Sequence, residues 1–113
     1  MKKENRIKNT REFQRILNKR RFRNSKCFTV YSDNAQMDIP RFGISVPKKL
    51  GNAVLRNKTK RQVRSIVQNI TTFDSSKDYI IMVRKPFFEH SFEDNEKDLE
   101  KLLKPVKIVK ENN

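Results

Sequence analysis

Five residues of one segment carry the strongest chemical signal in this chain: Asn57, Lys60, Arg61, Arg64 and Gln68. Set on a helix at about 100° per residue, they share one arc roughly a quarter-turn from an apolar stripe centred on Val63 and Ile70. Lys58 and Gln62 point elsewhere. A solvated helix face normally interleaves acids with bases three or four residues apart, but this ribbon has no acid within the helix. Its like charges repel when free and are relieved when phosphates approach and counterions leave. Arginine suits that task because its planar fork holds a phosphate with two parallel hydrogen bonds. Just upstream, Lys48-Lys49-Leu50-Gly51-Asn52 places two more cations and a glycine fit for a tight turn or close backbone approach before a helix N-terminus, itself an anion-attracting end.

Exposed aromatic rings beside a positive groove are the usual means of holding single-stranded RNA. Phe13 lies between Arg11 and Arg15. Phe28 and Tyr31 fall on opposite faces of one strand, with Phe28 suited to the core and Tyr31 to the surface, where its hydroxyl tolerates water.

The chain has 113 residues and a formal net charge of +14. Residues 1–64 hold 19 Lys and Arg against four Asp and Glu, and residues 65–113 hold eight against nine. Such asymmetry points to a polyanion-binding surface. A membrane surface is disfavoured: there is no Trp, and the basic helix carries an ordinary core stripe. No run approaches the roughly 18–20 apolar residues of a membrane span, and the N-terminal residues lack a secretory signal. The single cysteine, Cys27, excludes an internal disulfide and a cysteine-based zinc site and suits the cytoplasm. Catalytic equipment is missing. The one histidine, His90, has no imidazole partner. Most acids lie away from the ribbon, and no Gly-rich phosphate loop appears. No catalytic side chain and no metal ligand set is expected.

The elements that must position these residues follow from periodicity. Residues 9–20 read as a helix capped by Asn9, with Glu12 as capping-box partner and Phe13, Ile16 and Leu17 on one face. Residues 27–32 read as a strand, Asp33-Asn34-Ala35-Gln36 as a turn and residues 41–46 as the hairpin partner ended by Pro47. Residues 21–23 suit a short edge strand. The basic helix spans 52–70. The nearly continuous apolar run 78–84 suits a central strand. A last helix, 91–104, is capped by Ser91, with Glu93, Asp94 and Glu96 near its positive end and Leu99, Leu102 and Leu103 facing the core. The whole is one α+β domain over 1–113, a two-layer sandwich, with 1–5 and 106–113 as candidate flexible termini.

The stretch from Lys48 to Arg64, containing Gly51-Asn52-Ala53-Val54 and Arg56-Asn57-Lys58, closely resembles the signature of the bacterial ribonuclease P protein family. Arg6-Ile7-Lys8, Glu12-Phe13-Gln14, Phe28-Thr29-Val30-Tyr31, Phe42-Gly43-Ile44-Ser45-Val46 and Asp78-Tyr79-Ile80-Ile81 extend the resemblance over nearly the whole chain. The resemblance implies an α-β-β-β-α-β-α fold with a left-handed βαβ crossover. It also implies a ribonucleoprotein endoribonuclease that removes the 5′ leader of precursor tRNA, with the hydrolysis performed by the RNA subunit and its Mg²⁺. Carried over by position, Arg56, Asn57, Lys58, Lys60, Arg61, Arg64 and Gln68 are expected to contact the catalytic RNA. Phe13, Leu17, Tyr31, Lys48 and Lys49 are expected to line the leader cleft. Lys58 stands where the motif has arginine, and Leu17 where an aromatic is common. The implied partners are ribonuclease P RNA at about 1:1 and precursor tRNA, with weak holoenzyme dimerisation left open. The alternative from residues alone is a structural ribosomal or general RNA-binding protein.

Overall fold

The computed structural model describes residues 5–71 and 73–104. Of the candidate flexible termini, 1–5 and 106–113, all but Asn5 lie outside the described residues. The order is α1 (Thr10–Asn18), β1 (Phe22–Asn24), β2 (Phe28–Asn34), β3 (Arg41–Ser45), α2 (Ala53–Asn69), β4 (Lys77–Val83) and α3 (Phe92–Leu103). Short 3₁₀ turns at Lys48–Leu50 and Lys85–Glu89 follow β3 and β4.

The four strands lie in the order β1-β2-β4-β3. β4 pairs antiparallel with β2 and parallel with β3, so α2 is the crossover of a β3-α2-β4 unit. The expected hairpin between 27–32 and 41–46 does not form. β4 separates the two strands because Tyr79, Ile80, Ile81 and Val83 are all buried, and a strand apolar on both faces belongs in the middle of a sheet. The turn expected at Asp33–Gln36 is also displaced: Asp33 and Asn34 extend β2, paired with Asp78 and Lys77.

Strand alternation sends successive side chains to opposite faces. Phe28, Val30, Phe42, Tyr79, Ile81 and Val83 join Val63, Ile66 and Val67 of α2 and Leu99, Leu102 and Leu103 of α3 in the main core. This sheet-on-helices sandwich forms the two principal layers. A smaller cluster, Ile7, Ile16 and Ile80 with Phe13, Leu17 and Tyr31 packed around it, seats α1 on part of the other face.

Caps set the helix starts. The Asn52 side chain accepts from the Leu55 amide and Ser91 from the Asp94 amide, replacing bonds the first turn lacks. Asn9 accepts from the Arg11 amide. Glu12, expected in a capping box, instead receives two hydrogen bonds from Arg41 Nη1 at 3.1 and 2.8 Å. A charge-assisted pair with a buried arginine is stronger than a cap bond at an exposed helix end.

Candidate nucleic-acid interface

The face that carries α1 can be read in rows across the sheet. The first row is Arg41, Asp78 and Asp33; the second is Gly43, Ile80, Tyr31 and Phe22; the third is Ser45, Met82, Thr29 and Asn24. α1 covers the first two rows. In the first, Asp78 is fully buried and accepts from both Arg41 Nη2 and Arg15 Nη2 at 3.0 Å, while Arg15 also pairs with Asp33. The hydrogen bond to Asp78, more than burial opposes it, raises the Arg41 pKa further above its ordinary value. These pairs fasten α1 to β2, β3 and β4.

In the second row the ring of Phe13 lies over Gly43. A β-carbon there would stand 2.6 Å from Phe13 Cζ and 2.7 Å from Ile80 Cδ1, so the glycine gives the ring its seat. Tyr31 is half-buried and its ring meets the exposed Phe22 at a centroid distance of 5.2 Å. Leu17 packs beside them. The third row is left open by α1. There a groove of about 790 Å³ runs over Thr29 and Met82 and is rimmed by Lys49, Arg84, Lys85 and Phe88, with one acid, Glu89, among its lining. Lys49, expected in the leader cleft, lines this groove. Lys48, on the same turn, is exposed but does not line this groove. Arg84 and Lys85 were missed in the sequence, although a dibasic pair directly after an apolar strand was a usable sign.

On α2, Thr59, Val63, Ile66 and Val67 are buried and Asn57, Lys58, Arg61 and Gln68 exposed, as the wheel requires. Lys60 and Arg64 are half-buried on the flank toward β3. With Arg6, Lys8, Phe13 and Ile44 they line a cavity of about 270 Å³ at the sheet edge. The bridge between Arg6 and Phe42 holds the N-terminal segment against that edge. Arg64 has its pKa lowered by burial first, then by the charges of Arg6 and Arg61. Lys60 and Arg64 have no carboxylate partner among the described residues, and the converging positive charge favours an anion there. Arg56 is half-buried, and its Nε has no hydrogen-bond partner among the described residues. Gly51 permits the close approach of the preceding turn to α2: a β-carbon there would lie 2.6 Å from Leu55 Cδ2.

The predicted sites therefore meet. Phe13, assigned to one set, touches the same cavity as Lys60 and Arg64, assigned to the other. Among the described residues, no cation of α2 joins an ion pair. Two acids of α3 have hydrogen bonds that do not involve the α2 cations: Asp98 accepts from Ser25 Oγ and the Cys27 amide, and Glu96 from Asn69 at the end of α2. Cys27 is buried, and burial, followed by the nearby Asp98, pushes its thiol up to about 11, as befits a core residue. No group of three or more His, Cys, Asp and Glu among the described residues is placed to hold a metal. No helix among them is long and apolar enough to cross a membrane.

The family model described as Ribonuclease P matches residues 1–107. The chain belongs to the ribonuclease P protein family. It is 44% identical over 109 residues to the ribonuclease P protein component of Mycoplasma capricolum, covering 95% of this chain and all of that one. It is 37% identical over 113 residues to that of Bacillus velezensis, covering 99% and 97%. Among solved structures, the Staphylococcus aureus RNase P protein superposes with a TM-score of 0.77 at 40% identity, over 88% of this chain and 92% of that one. The Thermotoga maritima protein gives 0.79 at 31% identity, over 90% and 97%. Family membership makes this chain a protein subunit of a ribonuclease, and the α+β fold expected from the sequence is the family's fold.

Proposed function

We propose that this subunit docks on ribonuclease P RNA through α2 and carries the 5′ leader of precursor tRNA across the open sheet face, promoting removal of the leader. The observation that carries the reading is the α2 ribbon, whose cations have no ionic partner among the described residues and converge with Phe13 on one cavity. Arg56, Asn57, Lys58, Arg61 and Gln68 meet the catalytic RNA, with Lys60 and Arg64 at the junction. Phe13, Leu17 and Tyr31 form the α1 wall and floor of the leader path, and Lys49, Arg84 and Lys85 its far rim. The side chains bind and orient RNA, while Mg²⁺ held by the RNA subunit and the substrate supplies the hydrolytic chemistry. Assembly is one protein per RNA, in the cytoplasm.

Reconstitution tests this. Purified protein added to bacterial ribonuclease P RNA at limiting Mg²⁺ is expected to raise cleavage of precursor tRNA, and protein alone is expected to cut nothing. Undiminished cleavage without the RNA, or equal affinity for ribosomal RNA, would count against the assignment.

A further inference from the structure

The two flanks of α2 differ. One carries Lys60 and Arg64 toward β3. The other packs toward α3 and frames a separate cavity of about 230 Å³ lined by Leu55, Lys58, Gln62, Phe88, Phe92 and Asn95, among others. That is below the usual size of a drug-like pocket of about 300–1,000 Å³ and suits a single flat ring system. Phe88 and Phe92 stand 40% and 39% exposed at its margin, and Leu55 37%. None of the lining side chains is acidic.

Asn95 is the informative residue. It is 2% exposed, lies inside α3 and lines this cavity. Its Nδ2 donates to the Phe87 carbonyl at 3.0 Å, which fixes the amide's orientation and ties α3 to the preceding turn. Its Oδ1 is then an acceptor, and it has no hydrogen-bond partner among the described residues. A buried carbonyl left unpaired is costly. A purely structural tie needs only the donor half of this side chain.

We propose that this cavity receives one unstacked nucleobase of the catalytic RNA, an adenine or a cytosine. Both bases present an amino donor beside a ring-nitrogen acceptor. The amino group donates to Asn95 Oδ1, and the ring nitrogen accepts from the Gln62 amide or the Lys58 ammonium. The edge read is adenine N6 and N1 or cytosine N4 and N3; amide side chains read adenine's other edge, N6 and N7, by the same kind of donor and acceptor pairing. Phe88 and Phe92 supply stacking surface, and as exposed side chains they rotate readily to admit the ring. The source is the catalytic RNA because Lys58 at the cavity lies one helical turn before Arg61 of the ribbon, so a strand bound along α2 passes the opening. The inference rests on the proposed docking of α2 on that RNA.

Dimethyl sulfate, which methylates adenine N1 and cytosine N3, tests it on the full-length protein bound to bacterial ribonuclease P RNA. The unsubstituted protein is expected to protect at least one unpaired adenine or cytosine. Phe92→Ala and Gln62→Ala, both outside the main core, are expected to restore its reactivity and weaken RNA binding about tenfold each, with the salt slope unchanged. Phe92→Leu, which keeps the bulk without the π-face, is expected to lose most of the same affinity at an unaltered melting temperature. Binding by the unsubstituted protein with no base changed by these variants overturns the pocket alone. Losses confined to precursor tRNA overturn its assignment to the catalytic RNA. No binding of the RNA at all overturns the docking of α2 and the pocket together.

Discussion

Arginine meets two fates in this molecule. On the α1 side, Arg15 and Arg41 are held by Glu12, Asp33 and Asp78 and act as fasteners between a helix and a sheet. On α2, Arg61 and Arg64 have no carboxylate among the described residues, and Arg64 is pressed by Arg6 and Arg61 instead. The same side chain is architecture in one place and, on the proposed reading, an RNA-facing surface in the other. Composition counts both alike. A carboxylate within reach decides which is which, and it comes from an element distant in the sequence.

The sharpest way to break this contrast is Asp78→Asn, which keeps the volume and removes the charge shared by two arginines. Cutting one partner from a buried pair typically costs about 3–5 kcal/mol, so urea denaturation is expected to show a loss of that order. Phe13 lies at the seam between the two regions. Phe13→Ala is expected to weaken binding of precursor tRNA to the holoenzyme by about 1–3 kcal/mol, the range for one stacked base, and binding of mature tRNA much less. Equal losses for both substrates would remove the leader path. On α2 the expectation is inverted: Arg61→Ala with Arg64→Ala leaves stability within about 0.5 kcal/mol, as for surface positions. Titrations of the catalytic RNA against salt are then expected to lose about two from the log–log slope, roughly one per phosphate contact. An unchanged slope would show that these cations do not face phosphate. The smallest effect concerns the free protein. Millimolar sulfate is expected to raise its melting temperature by a few degrees by relieving the crowded cations, and Arg64→Ala to reduce that gain. Equal effects of sulfate and chloride at matched ionic strength would mean general screening only.

Much of the site was legible in advance because a helix is a local object. The stripe through Val63 and Ile70, the ribbon on its flank, the caps at Asn52 and Ser91 and the split of Phe28 inward from Tyr31 outward depend on spacing along one segment. The errors were of another kind. Proximity in sequence favours pairing residues 41–46 with 27–32, yet Ile80 and Ile81 need cover on both faces and take the place between them. Asp33 looked like a turn residue and proved to be a buried partner of Arg15. Glu12 looked like a cap and became a clamp.

By itself the sequence determined which segments are helices and strands, which faces are apolar, and that α2 presents cations without acids of its own. Only the tertiary structure decided which arginines are neutralised, that Gly43 seats Phe13, that Lys60 and Arg64 share a cavity with that ring, and that Lys58 and Gln62 turn toward α3. The reason is range. Backbone periodicity and capping act over a few residues, whereas ion pairing, ring seating and cavities depend on strands and helices brought together from distant parts of the chain.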